Sequence, residues 1–585
     1  MHSLSQLYYL HGIGYEYTKY TGEHVIFDES TRMQALSCCG VDTQDTDAIN
    51  QLNFALDAGT WLNLLPHTSI IEAHHPILKV RVDERLLSRS CTLSVPSLDI
   101  HFTCENLQGL AILGDYGLNG IRYLELALPV PEMPIGYHDA LITVADQQAH
   151  SQLWITPKES FSNDDKKRLG LSIQLYSLCN EEGLGIGDFA DLTKLIKAAA
   201  TKNMDYVLLN PLHLLFEHSP ERASPYSPNS RALLNPLYIA VSLCEDAKNN
   251  NALIKLLADK PQTDATYIDY TSVSDFKYQV FSCLYQHFCE FGSAERKQQF
   301  TRFCETHKHS LATMLVGDRD YASYLQWQAH LQLNICQQAA RDSGMAIGLI
   351  NDLAVGCAGD GSEFKSQNEL FAENAHVGAP PDPWAEHGQN WGLPALNPQK
   401  LSKDNFAFYR SLIRANMEDV GGLRIDHVMA IRRLWWCFEN NSQQDGCYVY
   451  YPFEQLLAIL KIESHLNQCV VIGEDLGVVP NEVREALKAS AIYSNGLFYF
   501  EKDHQGEFLA AEHFAPHSLL MIANHDVPPF KGWWIGHDIT IKQQYGLLDD
   551  EQTRAQFDAR NIEKHRMLNF IARESHQHLS LETDA

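Results

Sequence analysis

Residues 173–209 run IQLYSLCNEEGLGIGDFADLTKLIKAAATKNMDYVLL, and the division of that stretch decides the fold class. Ile173 to Leu178 and Tyr206 to Leu209 are short apolar runs that predict strands. Between them Phe189, Leu192, Leu195, Ile196 and Ala199 are spaced to share one face of a helix. A strand, an amphipathic helix and a second strand make the unit from which parallel sheets are built.

The same texture recurs toward the C-terminus. Ile347–Ile350, Leu423–Ile425, Val470–Ile472, Leu497–Phe500 and Leu519–Ala523 bring the candidate strands to seven. A polar or charged cluster follows nearly every one, which favours an α/β fold with a (β/α)8 TIM-type barrel whose active site is assembled at those strand ends. Upstream the texture differs. Residues 1–65 read as a mostly helical segment, and residues 66–157 as a small antiparallel β-sandwich, from short alternating stretches such as Ile100, Phe102 and Cys104 separated by Gly and Pro turns. The polar segment Thr156–Arg168 marks the boundary, with residues 158–585 as the catalytic barrel domain.

Composition excludes several function classes. Apolar residues at 45% and charged residues at 20% fit a folded globular protein of two or three domains. A net charge of −28, with no basic block, argues against nucleic acid and anionic membranes as partners and favours a neutral substrate. The 14 cysteines show neither C-x-x-C pairs nor His-Cys clusters at zinc spacing, so neither a metal site nor a disulfide framework is indicated. Without a signal-like N-terminus or an apolar run of roughly 18 to 20 residues, a cytoplasmic location is the expectation.

Three predicted strand ends present carboxylates: Gly422-Leu423-Arg424-Ile425-Asp426-His427, Ile472-Gly473-Glu474-Asp475-Leu476-Gly477 and Ala523-Asn524-His525-Asp526. Each step between them is long enough for a helix, a strand and an enlarged loop, so the three acids can meet above a barrel mouth. Glycosidic cleavage with retention needs two carboxyl groups about 5 to 5.5 Å apart, one ionised to attack and one protonated to release the leaving oxygen. Arg424, two residues before Asp426, shares its strand face and can keep that aspartate ionised. Glu474 has no cation beside it in sequence and is the better proton carrier. Asp526 can grip a sugar hydroxyl pair, with His427 and His525 as further donors. Singly, each acid reads as a helix N-cap or loop ion pair; together, in barrel order, they read as catalytic. Asp188 and Asp352 fit a helix cap or a groove contact equally. Trp435-Trp436, Trp533-Trp534 and His213 read as structural.

The segments Gln174–Leu178, Gly185–Phe189, Leu209–His213, Ser224–Pro228, Gly388–Gly392, Gly422–His427, Gly473–Gly477 and His525-Asp526 follow one another in the order found in bacterial 4-α-glucanotransferases. The chain resembles that family, also called amylomaltase or disproportionating enzyme, a branch of the α-amylase superfamily, from about Leu169 to Trp534. The resemblance implies Asp426 as nucleophile, Glu474 as acid/base and Asp526 as transition-state stabiliser. It also implies Tyr226, Gln389 and Trp391 along a glucan groove, and Arg424, His427 and His525 in contact with sugar or nucleophile. The activity implied is transfer of α-1,4-glucan segments between maltooligosaccharides with release of glucose, without cofactor or metal.

Departures from the family pattern are Asn524 and Pro529, where threonine is usual, and Lys365 in place of a tryptophan. Val527–Ala585 reads as polar helices, Gln543–Gln556 and Ala559–Glu574, without the eighth strand; a truncated, poorly active chain is the expectation. An α-glucan hydrolase using the same carboxylates and a non-catalytic glucan-binding protein stay open as alternatives.

Overall fold

The computed structural model describes residues 2–164, 166–178, 183–261, 267–382, 385, 387–439, 445–477, 479–577 and 579–580. The chain divides into two compact units, Met1–Val471 and Ile472–Ala585.

The first unit begins with the helices His2–Leu10, Glu29–Cys38 and Thr46–Leu56, joined by an antiparallel pair, Glu16–Thr18 with His24–Ile26, that the sequence did not announce. Two sheets follow. Thr68–Glu72, Gln147–Thr156, Gly136–Val144, Cys91–Val95 and Ile100–Cys104 form one; Ile77–Asp83, Ile121–Pro129 and Ile112–Leu118 form the other. The strand pattern is not wholly antiparallel, because Gln147–Thr156 runs parallel to Thr68–Glu72. Alternation places Leu78, Val80 and Val82 opposite Leu128, Leu126 and Leu124, all buried. With Leu93, Val95, Ile142 and Val144 they form one apolar core. Each such side chain contributes about 1.5–3 kcal/mol through burial.

Four parallel strands come next, in chain order: Gly170–Ile173, Tyr206–Leu209, Gly348–Leu353 and Gly422–Ile425. Val470 then donates to the Gly421 carbonyl at 3.0 Å and opens the fifth strand, Val470–Gly473. Every residue of Gly348–Leu353 and of Gly422–Ile425 is buried, as expected for a parallel sheet covered on both faces. Helix Phe189–Ala200 buries Phe189, Leu192, Ile196 and Ala199, and its start is fixed by a capping box of Asp188 and Asp191. Gly421 marks a tight passage: a Cβ there would stand 1.8 Å from the Ile347 carbonyl oxygen. Beyond the barrel strands, Gln389–Leu396, Phe371–Ala379, Arg433–Phe438 and Cys447–Tyr450 pair as an antiparallel sheet in which Trp435 and Trp436 are buried packing residues.

In the second unit the end of the fifth strand, Ile472 and Gly473, pairs in parallel with Tyr493 and Ser494, and Tyr493–Leu497 pairs in parallel with Ser518–Met521. A separate core gathers Tyr499, Phe508, Trp533, Trp534, Met567 and Leu568. The C-terminal helices run His537–Gln544 and Asp550–Ser575, so the expected break at Gln556 does not occur. Arg560 on the long helix holds Asp538 with two hydrogen bonds at 2.9 and 2.8 Å.

Seven parallel strands in chain order, with α-helices between each successive pair up to the sixth and only 3-10 segments between the sixth and seventh, give the α/β (β/α)-barrel class expected from the sequence. Most strands shift by a residue or more from the reading, Ile347–Ile350 becoming Gly348–Leu353 and Leu519–Ala523 becoming Ser518–Met521, and at two of them the chain turns where a strand was expected. The first strand ends at Ile173, and Leu175–Ser177 turns into a 3-10 segment; the sixth ends at Leu497, and Phe498–Phe500 does the same. No helix among the described residues is long and apolar enough to cross a membrane.

Candidate active site

Parallel register brings the first group of polar residues together. Asp352, the penultimate residue of Gly348–Leu353, is the Cα partner of Arg424, and the amide of Asp426 donates to the Leu353 carbonyl at 3.0 Å. Arg424, only 1% exposed, donates from Nη1 to Asp352 Oδ1 at 2.7 Å and to Asp426 Oδ1 at 3.2 Å. Tyr226 donates to the other oxygen of Asp352 at 2.7 Å. Burial, and then the charge of Asp352, push the Tyr226 phenol well above its ordinary range, so it stays a donor. The predicted Arg424–Asp426 partnership is present, but Arg424 is shared with Asp352, whose role the sequence left divided between cap and groove.

The loop after Asp352 is fixed from below. Arg231 makes buried hydrogen bonds to Glu363 at 3.0 and 2.7 Å, and its Nη1 donates to the carbonyls of Ala354 and Val355. His213 accepts from the Ala354 amide through Nε2 at 3.2 Å, so its proton sits on Nδ1. Burial, reinforced by Arg231, lowers its pKa to about 3, and it is a neutral structural group. A cavity of about 50 Å³ lined by Leu353, Ile425, Ile431, Leu434 and Asp426 is too small for a sugar ring.

On the other side of Asp426, His427 takes a left-handed backbone conformation with φ 47°. Its ring meets Trp391 edge to face, with centroids 5.4 Å apart. Trp391 donates through its indole nitrogen to Gln389 at 3.0 Å, and both residues are partly exposed on the strand Gln389–Leu396. Apolar ring faces beside amide and imidazole donors suit a sugar, whose C–H faces pack on aromatics and whose hydroxyls need partners. Tyr226, Arg424 and Asp426 thus form one hydrogen-bonded group through Asp352, and Gln389, Trp391 and His427 form a second.

The second unit carries the other two predicted acids. Glu474 directly follows Val470–Gly473, is 7% exposed, and accepts from the Leu476 amide at 3.0 Å. Asp475, the next residue, lies 3.5 Å from Arg484 and accepts from the Asn495 amide. Asp526 has a side chain 61% exposed, 3.3 Å from His525 Nε2. Asn524, one of the departures from the family pattern, donates to Asp526 Oδ2 at 3.0 Å and accepts from its amide, bracketing the carboxylate. Lys365, another departure, is exposed on the short helix Ser362–Ser366.

The profile of a family described as 4-alpha-glucanotransferase matches residues 173–316 and 314–583. A 4-alpha-glucanotransferase from Haemophilus influenzae is 34% identical over 517 residues, covering 78% of this chain and 74% of its own length. One from Mycobacterium tuberculosis is 28% identical, covering 93% of this chain and 82% of its own. Among solved structures, an amylomaltase from Corynebacterium glutamicum superposes with a TM-score of 0.84 at 26% identity, covering 98% of this chain and 86% of that one.

Proposed function

The chain belongs to the 4-alpha-glucanotransferase family, and from that premise we propose that it transfers α-1,4-glucan segments between maltooligosaccharides, releasing glucose, by double displacement. Asp426 attacks C1 of the donor, Glu474 first protonates the leaving oxygen and then deprotonates the acceptor hydroxyl, and Asp526 stabilises the oxocarbenium-like transition state. Tyr226, Gln389, Trp391, Arg424, His427 and His525 orient the chain and the nucleophile.

The observation that carries the reading is the 3.2 Å contact between Arg424 and Asp426, because a carboxylate held beside a buried guanidinium stays ionised and available to attack. Glu474 stands directly after its strand and is mostly buried, and burial favours the protonated form of a carboxyl group, which suits a group that must deliver a proton. Neutral glucans as partners, with neither nucleic acid nor membrane, agree with the net charge of −28. A cytoplasmic location fits the same picture, as does a division at residues 65 and 157 that leaves the chemistry to the barrel.

Maltotriose alone, followed by product sizing, tests transfer. Longer oligomers together with glucose are expected, and shorter products only would turn the reading to hydrolysis. Asp426→Asn should remove both activities, whereas a glucan-binding protein would have no turnover to lose.

A further inference from the structure

Far from these carboxylates along the chain, and without any sequence spacing to announce it, a second polar cluster stands in the first unit. His307 ends helix Ala294–Thr306, His330 lies within helix Arg319–Asp342, and Glu418 and Asp419 follow helix Ala407–Met417. One donor atom from each of His307, His330 and Glu418 lies within 4.8 Å of the others.

The contacts around His307 set two potential donor atoms side by side. Its Nδ1 faces the Phe303 carbonyl at 3.0 Å, and a carbonyl can only accept, so Nδ1 carries the hydrogen. In the neutral ring Nε2 is then a bare lone pair, yet it stands 3.0 Å from Glu418 Oε2, another acceptor. A proton on Nε2 makes that contact an ordinary charge-assisted hydrogen bond to Glu418, and the same nitrogen lone pair and carboxylate oxygen are the donors a metal ion would take in its place. His330 sits against it with ring centroids 4.9 Å apart, and its buried Nδ1 finds no hydrogen-bond partner among the described residues. Asp419 Oδ2 is 3.8 Å from that nitrogen, while its other oxygen accepts from Asn334 at 2.6 Å. A proton on His307 leaves that buried nitrogen of His330 as it is, whereas an ion shared by the cluster would draw on both rings.

We propose that His307 Nε2, His330 and Glu418 bind a transition-metal dication of the Zn²⁺ class, with Asp419 as the adjoining carboxylate. Two imidazoles and a carboxylate are borderline-soft and hard donors suited to Zn²⁺. The Nδ1–H of His307 on a backbone carbonyl is the outer contact that fixes a ligating ring. Donors around tetrahedral Zn²⁺ stand about 3.3–3.5 Å apart, so on binding the more distant donors draw in by on the order of 1 Å while the 3.0 Å His307–Glu418 pair opens slightly. Helix Arg319–Asp342 leads to the strand bearing Asp352, and Glu418-Asp419 leads to the strand bearing Arg424. The ion therefore ties together the entrances to both strands and acts on stability, away from the reacting carboxylates.

The test uses the full chain stripped with a chelator and then titrated with Co²⁺, read by its visible d–d absorption, and with Zn²⁺, read by thermal unfolding. One equivalent of Co²⁺ should develop the band without the sulfur charge-transfer absorption that cysteine ligation would add, and Zn²⁺ should raise Tm. His307→Gln and Glu418→Gln should each weaken binding by about a hundredfold or more, while metal-free glucan transfer stays at the parent level. Absence of the band, or a band and Tm rise that survive in both variants, would overturn the assignment. Should one variant misfold, the other carries the same comparison.

Discussion

Arg424 approaches Asp352 more closely than Asp426, at 2.7 Å against 3.2 Å, and does so through the same nitrogen. Asp352 is thus the acid that neutralises and positions the guanidinium, and the proposed nucleophile takes the looser contact. Asp352→Asn removes the closer carboxylate and leaves Asp426 beside Arg424, so the guanidinium stays compensated and the loss should stay below the about 3–5 kcal/mol of a fully broken buried pair, measurable as a lowered urea midpoint. Transfer from maltotriose should fall mainly in kcat, because Arg424 then closes on Asp426 and quenches its attack. Unchanged kcat would remove Asp352 from the positioning role.

Tyr226→Phe isolates a smaller part of the same group. It removes the hydrogen bond to Asp352 at 2.7 Å and keeps the ring. A hydrogen bond to a charged group is worth about 1.5–3 kcal/mol, so the fold should survive with a reduced unfolding free energy. Transfer should fall less than in Asp352→Asn, and a larger fall would locate the phenol on the sugar itself.

Glu363→Gln probes the support under the loop after Asp352. Arg231 and Glu363 are 5% and 1% exposed in their side chains, so the substitution leaves an uncompensated buried guanidinium. Destabilisation of about 3–5 kcal/mol is expected, read by chemical denaturation. A variant as stable as the parent would show that the carbonyls of Ala354 and Val355 suffice to hold Arg231.

Lys277 supplies a pH test. It is fully buried, donates to the carbonyls of Leu237 and Ile239 at 2.7 and 2.9 Å, and burial lowers its pKa to about 8, against an opposing pull from Asp188. An unfolded lysine titrates near 10.4. Between those values the unfolded chain binds more protons, so this residue makes stability rise with pH, by on the order of 2–3 kcal/mol across the window. Lys277→Met should flatten that rise in denaturation curves taken from pH 8 to 10. Parallel pH profiles for the two proteins would contradict the assignment.

Much of the barrel was legible because its signals are local. Tyr206–Leu209 is a strand as read, and Phe189, Leu192, Ile196 and Ala199 face inward at helical spacing. The first strand was misplaced because Gln174–Leu178 looks extended, whereas the chain turns there and Gly187 donates to the Tyr176 carbonyl. Phe498–Phe500 looks extended in the same way, but Phe498 and Tyr499 serve a core in place of a sheet. The sheet containing Val377 and Trp436 escaped notice because its pairings join distant segments. Arg424 with Asp426 follows from the two-residue strand period. Arg424 with Asp352 follows only from the register between two strands, which no single segment encodes. Asp352 reads equally as a cap or a groove contact, and only the register beside Arg424 decides between them. The cluster of His307, His330 and Glu418 comes from three separate helices and carries no motif.

The passage at Gly421 constrains how this chain can be altered by random mutagenesis. Any missense change of a glycine codon introduces a Cβ, and here every Cβ meets the Ile347 carbonyl oxygen at 1.8 Å. Libraries selected for altered glucan specificity should return glycine at this position however strong the selection. Useful diversity then has to come from the exposed faces around Gln389 and Trp391.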